Sequence, residues 1–121
     1  MPDLALKVDV DTFRGMKEGV PGIARILDAR GLKASFFISF GPDRSGLAVI
    51  QLLRPAFLRK MIRTNAPGLY GWKTALYGTL LKAPLIGLAF PDTVLGLIRA
   101  GHETACHAWD HRLWQDWLFL M

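Results

Sequence analysis

Two histidines four positions apart, His107 and His111, and two aspartates two positions apart, Asp9 and Asp11, are the side chains of this 121-residue chain best suited to hold a metal ion and use it. On a helical turn, residues i and i+4 face the same way, so His107-Ala-Trp-Asp-His111 would aim two imidazoles at one cation. A third, oxygen ligand must then come from elsewhere in the chain. Two imidazoles and a carboxylate leave coordination positions open for water and substrate, which suits catalysis better than a structural site. Asp9 and Asp11 would project to one side of a strand, where two uncompensated carboxylates repel and a cation relieves the repulsion. The economical division gives Asp11 to the metal beside His107 and His111, and leaves Asp9 to accept a proton from the water that attacks a carbonyl. Zinc, manganese, cobalt and iron all accept this donor set.

Each of these signals has a plainer reading. An isolated HxxxH often marks only a solvated helix face, and an Asp-x-Asp at a strand terminus often makes an Asx-type loop end. The two together, at one edge of one sheet, favour the metal. His102-Glu103 does not open a zinc-protease helix, because HExxH would need a histidine where Cys106 stands, and His102 is left outside the site. Asp110 either orients a histidine or points to solvent.

The elements that must carry these residues read as an α/β pattern. The apolar run Leu4-Ala5-Leu6-Lys7-Val8 reads as a buried strand whose carboxyl end delivers Asp9 and Asp11. Thr12-Phe13-Arg14-Gly15 reads as a loop, Pro21 as the opening of a helix with Ile23, Ile26 and Leu27 on one face, and Gly31 as its stop. Ala34 to Phe40 is β-rich and ends at Gly41-Pro42-Asp43, completing a βαβ unit with an expected right-handed crossover. Pro91-Asp92-Thr93 starts a helix over Val94 to Ala100, Gly101 ends it, and Glu103 to Cys106 forms a third strand with His107 at its carboxyl end. Both ligand groups thus fall at the strand ends where α/β folds place their sites.

A hydrophobic fraction of 51% excludes disorder, and a formal charge of +5 favours an anionic partner. The single cysteine, Cys106, excludes an intrachain disulfide framework, fits a reducing compartment and reads as a small core residue. No secretory signal is visible at the start, and a cytoplasmic origin is expected. Between Arg44 and Pro91 lies an insertion without aspartate or glutamate that carries Arg44, Arg54, Arg59, Lys60, Arg63, Lys73 and Lys82 among leucines and aromatics. Its apolar runs, including Leu47-Ala48-Val49-Ile50 and Leu85-Ile86-Gly87-Leu88, fall well short of the ~20 residues a transmembrane helix needs. The 44–91 insertion is thus either an interfacial membrane segment or a mostly helical amphipathic excursion packed on the sheet. No nucleic-acid reading motif is present, and the basic residues are interspersed with long apolar stretches, so nucleic acid is not expected as a partner.

Val8-Asp9-Val10-Asp11-Thr12, Lys33-Ala34-Ser35-Phe36-Phe37, and Ala100-Gly101-His102-Glu103 running to His107-Ala-Trp-Asp-His111 together resemble the polysaccharide deacetylase family. Phe40-Gly41-Pro42-Asp43, Leu53-Arg54-Pro55-Ala56-Phe57-Leu58, Asn65-Ala66, Leu69-Tyr70-Gly71-Trp72 and Trp114-Gln115 are similar to a deformylase branch of that family. The resemblance implies a partial, deformed (β/α) barrel, with residues 1–121 as the amino-terminal part of one catalytic domain. It implies metal-dependent hydrolysis of the N-formyl group of undecaprenyl phosphate-linked 4-deoxy-4-formamido-L-arabinose, releasing formate, in lipid A modification and resistance to cationic peptides. It implies Asp9 as catalytic base and Asp11, His107 and His111 as ligands of a divalent metal ion. The partners implied are a lipid-linked amino-sugar substrate and the cytoplasmic face of a bacterial inner membrane, met peripherally. The family's later arginine and histidine motifs do not occur before Met121, so a catalytically incomplete piece is expected. The competing expectation is a basic membrane-interfacial binding module whose histidines are structural.

Overall fold

The computed structural model describes residues 2–44, 63 and 82–110. Their order is strand β1 (Lys7–Val10), a π-helical turn (Gly15–Gly19) that runs directly into helix α1 (Val20–Ala29), strand β2 (Ser35–Ser39), a 3-10 turn (Gly87–Ala89), helix α2 (Pro91–Arg99) and strand β3 (Glu103–Ala108). The strands form one parallel sheet in the order β1-β2-β3. The α/β character and the alternation of strand and helix are as the sequence predicts.

Three boundaries differ, each for a local reason. β1 lies at Lys7–Val10 rather than Leu4–Val8, because its pairing with β2 runs from Lys7 opposite Ser35 to Val10 opposite Ile38, so Asp9 is inside the strand and Asp11 directly follows it. The segment expected as a loop starts a helix instead. The Thr12 carbonyl accepts the Met16 N–H at 3.0 Å, and the Thr12 hydroxyl accepts the Gly15 N–H at 3.0 Å, which is the capping that an orphaned first turn needs. Pro21 then falls in the first turn of α1, where no amide hydrogen is required. β3 continues through His107 to Ala108, beyond the expected Cys106.

Alternation sorts the sheet into two faces. Val8, Val10, Phe36 and Ile38 point to the helices, where Val10, Phe36 and Ile38 form the core with Met16, Val20, Leu27, Ile86 and Leu97. The other face carries Lys7 and Asp9, then Ser35, Phe37 and Ser39, then Glu103, Ala105 and His107. The core is centred on β2, where Phe36 and Ile38 are fully buried, and thins toward β3. Cys106 is accordingly exposed, not the core residue its size implied.

Both helices end in the same way. Leu32 N–H bonds the Leu27 carbonyl and Gly31 N–H the Asp28 carbonyl; His102 N–H bonds the Leu97 carbonyl and Gly101 N–H the Ile98 carbonyl. These are paired Schellman bonds, with Gly31 and Gly101 at φ of 64° and 85°. A side chain at Gly101 is expected to cost about 1–2 kcal/mol, the strain of a left-handed residue, so Gly101→Ala should lower the unfolding free energy by that amount, read from a urea titration as a lower midpoint at unchanged slope. His102, the next residue, is buried with both ring nitrogens engaged: Ala34 N–H donates to Nδ1 at 3.3 Å, and Nε2 meets Asp28 Oδ1 at 3.0 Å. It joins α1, β2 and the start of β3, a structural role consistent with its exclusion from the site.

The insertion has a built root. Asp43 N–H donates to the Pro84 carbonyl at 2.7 Å and Ile86 N–H to the Gly41 carbonyl at 2.9 Å, around an antiparallel bridge between Pro42 and Leu85. Ile86 is 2% exposed and belongs to the core, so the Leu85–Leu88 run is not wholly an interfacial surface. Most of the insertion, with its expected helices and aromatic-cationic face, lies outside the described residues. No helix among the described residues is long and apolar enough to cross a membrane.

Candidate metal centre

At the carboxyl edge of the sheet, Ser39 at the end of β2 and His107 in β3 both meet Asp11, the residue directly after β1. Asp11 Oδ1 lies 3.4 Å from His107 Nε2 and accepts a hydrogen bond from the buried Ser39 hydroxyl at 3.2 Å. β1 and β3 are separated by β2, about 9.5 Å at the usual strand spacing, so the two side chains lean toward each other over Ser39. A separation of 3.4 Å is long for an N–H···O bond. It matches the edge between two ligand atoms of a tetrahedral ion bound at about 2.0–2.1 Å, which is about 3.4 Å. These two donor atoms are thus spaced as two ligands of one divalent cation would be. His107 and Asp11 are both partly open to solvent, as a site with exchangeable positions requires.

The route by which His107 reaches this place is not the expected one. Its backbone is in β3, and the ladder continues past it: Phe40 N–H donates to the Ala108 carbonyl at 3.2 Å and Gly41 N–H to the Trp109 carbonyl at 2.8 Å. His107 and Ala108 are strand residues, at a register shift where Ile38 pairs with Cys106 and Ser39 with Ala108, so His107 does not open the helical turn that the HxxxH spacing predicted. His111 lies outside the described residues. Among the described residues no group of three or more histidine, cysteine or carboxylate side chains is close enough to hold an ion.

Asp9 shares the face of Asp11 and His107, opposite Phe37 in the register. Its carboxylate meets Lys7 Nζ at 3.1 Å, and the same ammonium stands 4.7 Å over the Phe37 ring. The pair is half-exposed, the class of ion pair worth roughly 0–1 kcal/mol, and so leaves Asp9 available to another partner.

Several residues near the centre were not assigned to it from the sequence alone. Ser39 could have been found from alternation in Ser35-Phe36-Phe37-Ile38-Ser39, which places it on the Asp11 side. Asp43 is fully buried and accepts the Phe13 N–H at 2.7 Å, at the positive end of the helix that follows Asp11. Asp110, for which the sequence left open orienting a histidine or pointing to solvent, is buried and lies 3.1 Å from Arg44 Nη1.

No family model matches the chain. Curated proteins do, among them two that share one name. The probable 4-deoxy-4-formamido-L-arabinose-phosphoundecaprenol deformylase ArnD of Shewanella sediminis (strain HAW-EB3) is 46% identical over 112 residues, covering 93% of this chain and 37% of the relative. The protein of the same name from Wigglesworthia glossinidia brevipalpis is 38% identical over 104 residues, covering 86% of this chain and 36% of the relative. The chain spans a little over a third of the length of these relatives. Along nearly all of its own length, it is homologous to the 4-deoxy-4-formamido-L-arabinose-phosphoundecaprenol deformylases.

Proposed function

We propose that this chain supplies the metal-binding edge of a deformylase that hydrolyses the N-formyl group of undecaprenyl phosphate-linked 4-deoxy-4-formamido-L-arabinose. The observation that carries the reading is the 3.4 Å approach of Asp11 Oδ1 to His107 Nε2, at the carboxyl edge of a parallel sheet, in a relative of proteins named for that activity. Asp11, His107 and His111 would hold a divalent cation, with zinc, manganese, cobalt and iron all compatible with the donor types. When bound, the cation supplies Lewis acidity toward the formyl oxygen and water.

In this reaction water adds to the formyl carbon, the C–N bond breaks, formate leaves and the sugar nitrogen takes up a proton. Asp9 accepts the proton of the attacking water, and its place on the same sheet face as Asp11 supports that role. The polar face of Lys7, Asp9, Ser35, Ser39, Glu103 and His107 would line the inside of a deformed (β/α) barrel, with α1 and α2 outside. Residues 1–121 would then be part of one catalytic domain. The 44–91 insertion, basic and rooted beside the site, would meet the substrate phosphate and the inner-membrane surface from the cytoplasmic side.

The test is elemental analysis of the purified protein beside a formate-release assay, on this chain and on the full-length gene product. Near-stoichiometric divalent metal is expected in both, and at least tenfold lower occupancy in Asp11→Asn, His107→Ala and His111→Ala. Unaltered metal content in all three variants would remove the proposal's foundation.

A further inference from the structure

We infer that the segment leaving β2, from Ser39 to Arg44, is a positioning bracket that fixes the spacing between Asp11 on one flank and His107 on the other. The inference rests on the metal-binding reading of those two residues and assigns roles to Ser39, Asp43, Arg44 and Asp110, none of which would touch the ion.

The bracket contacts both arms, and Phe40 N–H to the Ala108 carbonyl continues the β2–β3 ladder into it. Toward the β1 arm, Ser39 Oγ donates to Asp11 Oδ1 at 3.2 Å, and Asp43 Oδ2 accepts the N–H of Phe13, two residues past Asp11, at 2.7 Å. Toward the β3 arm, Gly41 N–H donates to the carbonyl of Trp109, two residues past His107, at 2.8 Å, and Arg44 Nη1 lies 3.1 Å from Asp110 Oδ2. Because β2 is the middle strand, its extension can reach both ligand arms at once. From behind, the bracket is held by the return of the insertion, through Asp43 N–H to the Pro84 carbonyl and Ile86 N–H to the Gly41 carbonyl.

The burial of charge marks this arrangement as more than chain packing. Asp43 is 0% and Asp110 6% exposed, and a carboxylate removed from water is costly unless hydrogen-bonded or paired. Asp110 lies three residues past His107 and Asp43 four past Ser39, and each is engaged across a long stretch of sequence. Groups that orient ligands in this way typically change metal affinity by about 10–100-fold when removed.

The experiment uses the full chain, cobalt(II) as the probe, and Ser39→Ala, Asp43→Asn, Arg44→Met and Arg44→Lys. Cobalt affinity is expected to fall about 10–100-fold in Ser39→Ala, Asp43→Asn and Arg44→Met, with an altered visible spectrum, and to recover substantially in Arg44→Lys. The cross-arm readout is made without metal: Asp43→Asn, which alters the Asp11 arm, should shift the His107 ring proton resonances. Cobalt affinity at the parent level in folded Ser39→Ala and Arg44→Met, or an unmoved His107 resonance in folded Asp43→Asn, would overturn the bracket. Failure of the parent reading is distinct, because it shows as unaltered cobalt binding in Asp11→Asn and His107→Ala. The metal-free resonance still reads the bracket in that case.

Discussion

Asp9→Asn in the full-length protein should keep metal occupancy near the parent level while slowing formate release by about a hundred- to ten-thousand-fold, the usual contribution of a positioned general base. Asparagine has the size and one acceptor oxygen of aspartate but cannot take up the proton of the attacking water. Asp9 stands one pleat back from Asp11 on the same face, and its described partner is Lys7 at 3.1 Å, not His107 or Ser39. Removing its charge therefore leaves the Asp11–Ser39–His107 contacts intact. The Lys7 pair is half-exposed, so its loss should cost the fold little. Metal content and formate release measured on the same preparation separate the two aspartates. Loss of metal in Asp9→Asn with retention in Asp11→Asn would exchange their roles.

The face logic of the sheet was legible because it depends on local alternation: Val8-Asp9-Val10-Asp11 alternates apolar and acidic residues, and Ser35-Phe36-Phe37-Ile38-Ser39 sets its buried residues at 36 and 38. Helix ends were legible for the same reason, since Gly31 and Gly101 occupy left-handed positions few other residues accept. The conformation around His107 was not legible. An i, i+4 spacing is compatible with a helix, but it does not register that a partner strand 68 residues away continues to pair, as Ile38 does with Cys106 and Ser39 with Ala108. The start of the first helix was obscured by Gly15, which closes a Thr12-Phe13-Arg14-Gly15 run that reads as loop until the Thr12 cap and the π-helical turn are in place. The burial of Asp43 and Asp110 was not legible for a deeper reason. A carboxylate in a turn normally faces water, and only the folded chain brings Phe13 N–H and Arg44 to these two.

Gly41→Ala should damage the centre more than any other small-residue change in the described chain. A Cβ at Gly41 would stand 2.1 Å from the Trp109 carbonyl oxygen and 2.9 Å from its carbon. Both are backbone atoms, so no side-chain rotation relieves the clash. Either the chain after His107 moves away or the Gly41 segment does, and the second route breaks the Ile86 N–H bond to the Gly41 carbonyl. Overpacking of this kind costs about 1–3 kcal/mol, and a lost backbone hydrogen bond about 1 kcal/mol more. The stability loss should thus be about 2–4 kcal/mol, readable as a lower urea midpoint. The loss of function should be larger in proportion, because a displacement near 1 Å at a reacting centre can cost on the order of a hundredfold. Gly101→Ala provides the control. It strains a helix end at the opposite, amino-terminal edge of β3, where the nearest described neighbour of an added Cβ is the flexible Lys33 side chain at 3.4 Å. Gly101→Ala should therefore lose stability while keeping the parent metal affinity, whereas Gly41→Ala loses both. Equal metal affinity in the two variants would mean that the tight backbone approach at Gly41 serves only the fold.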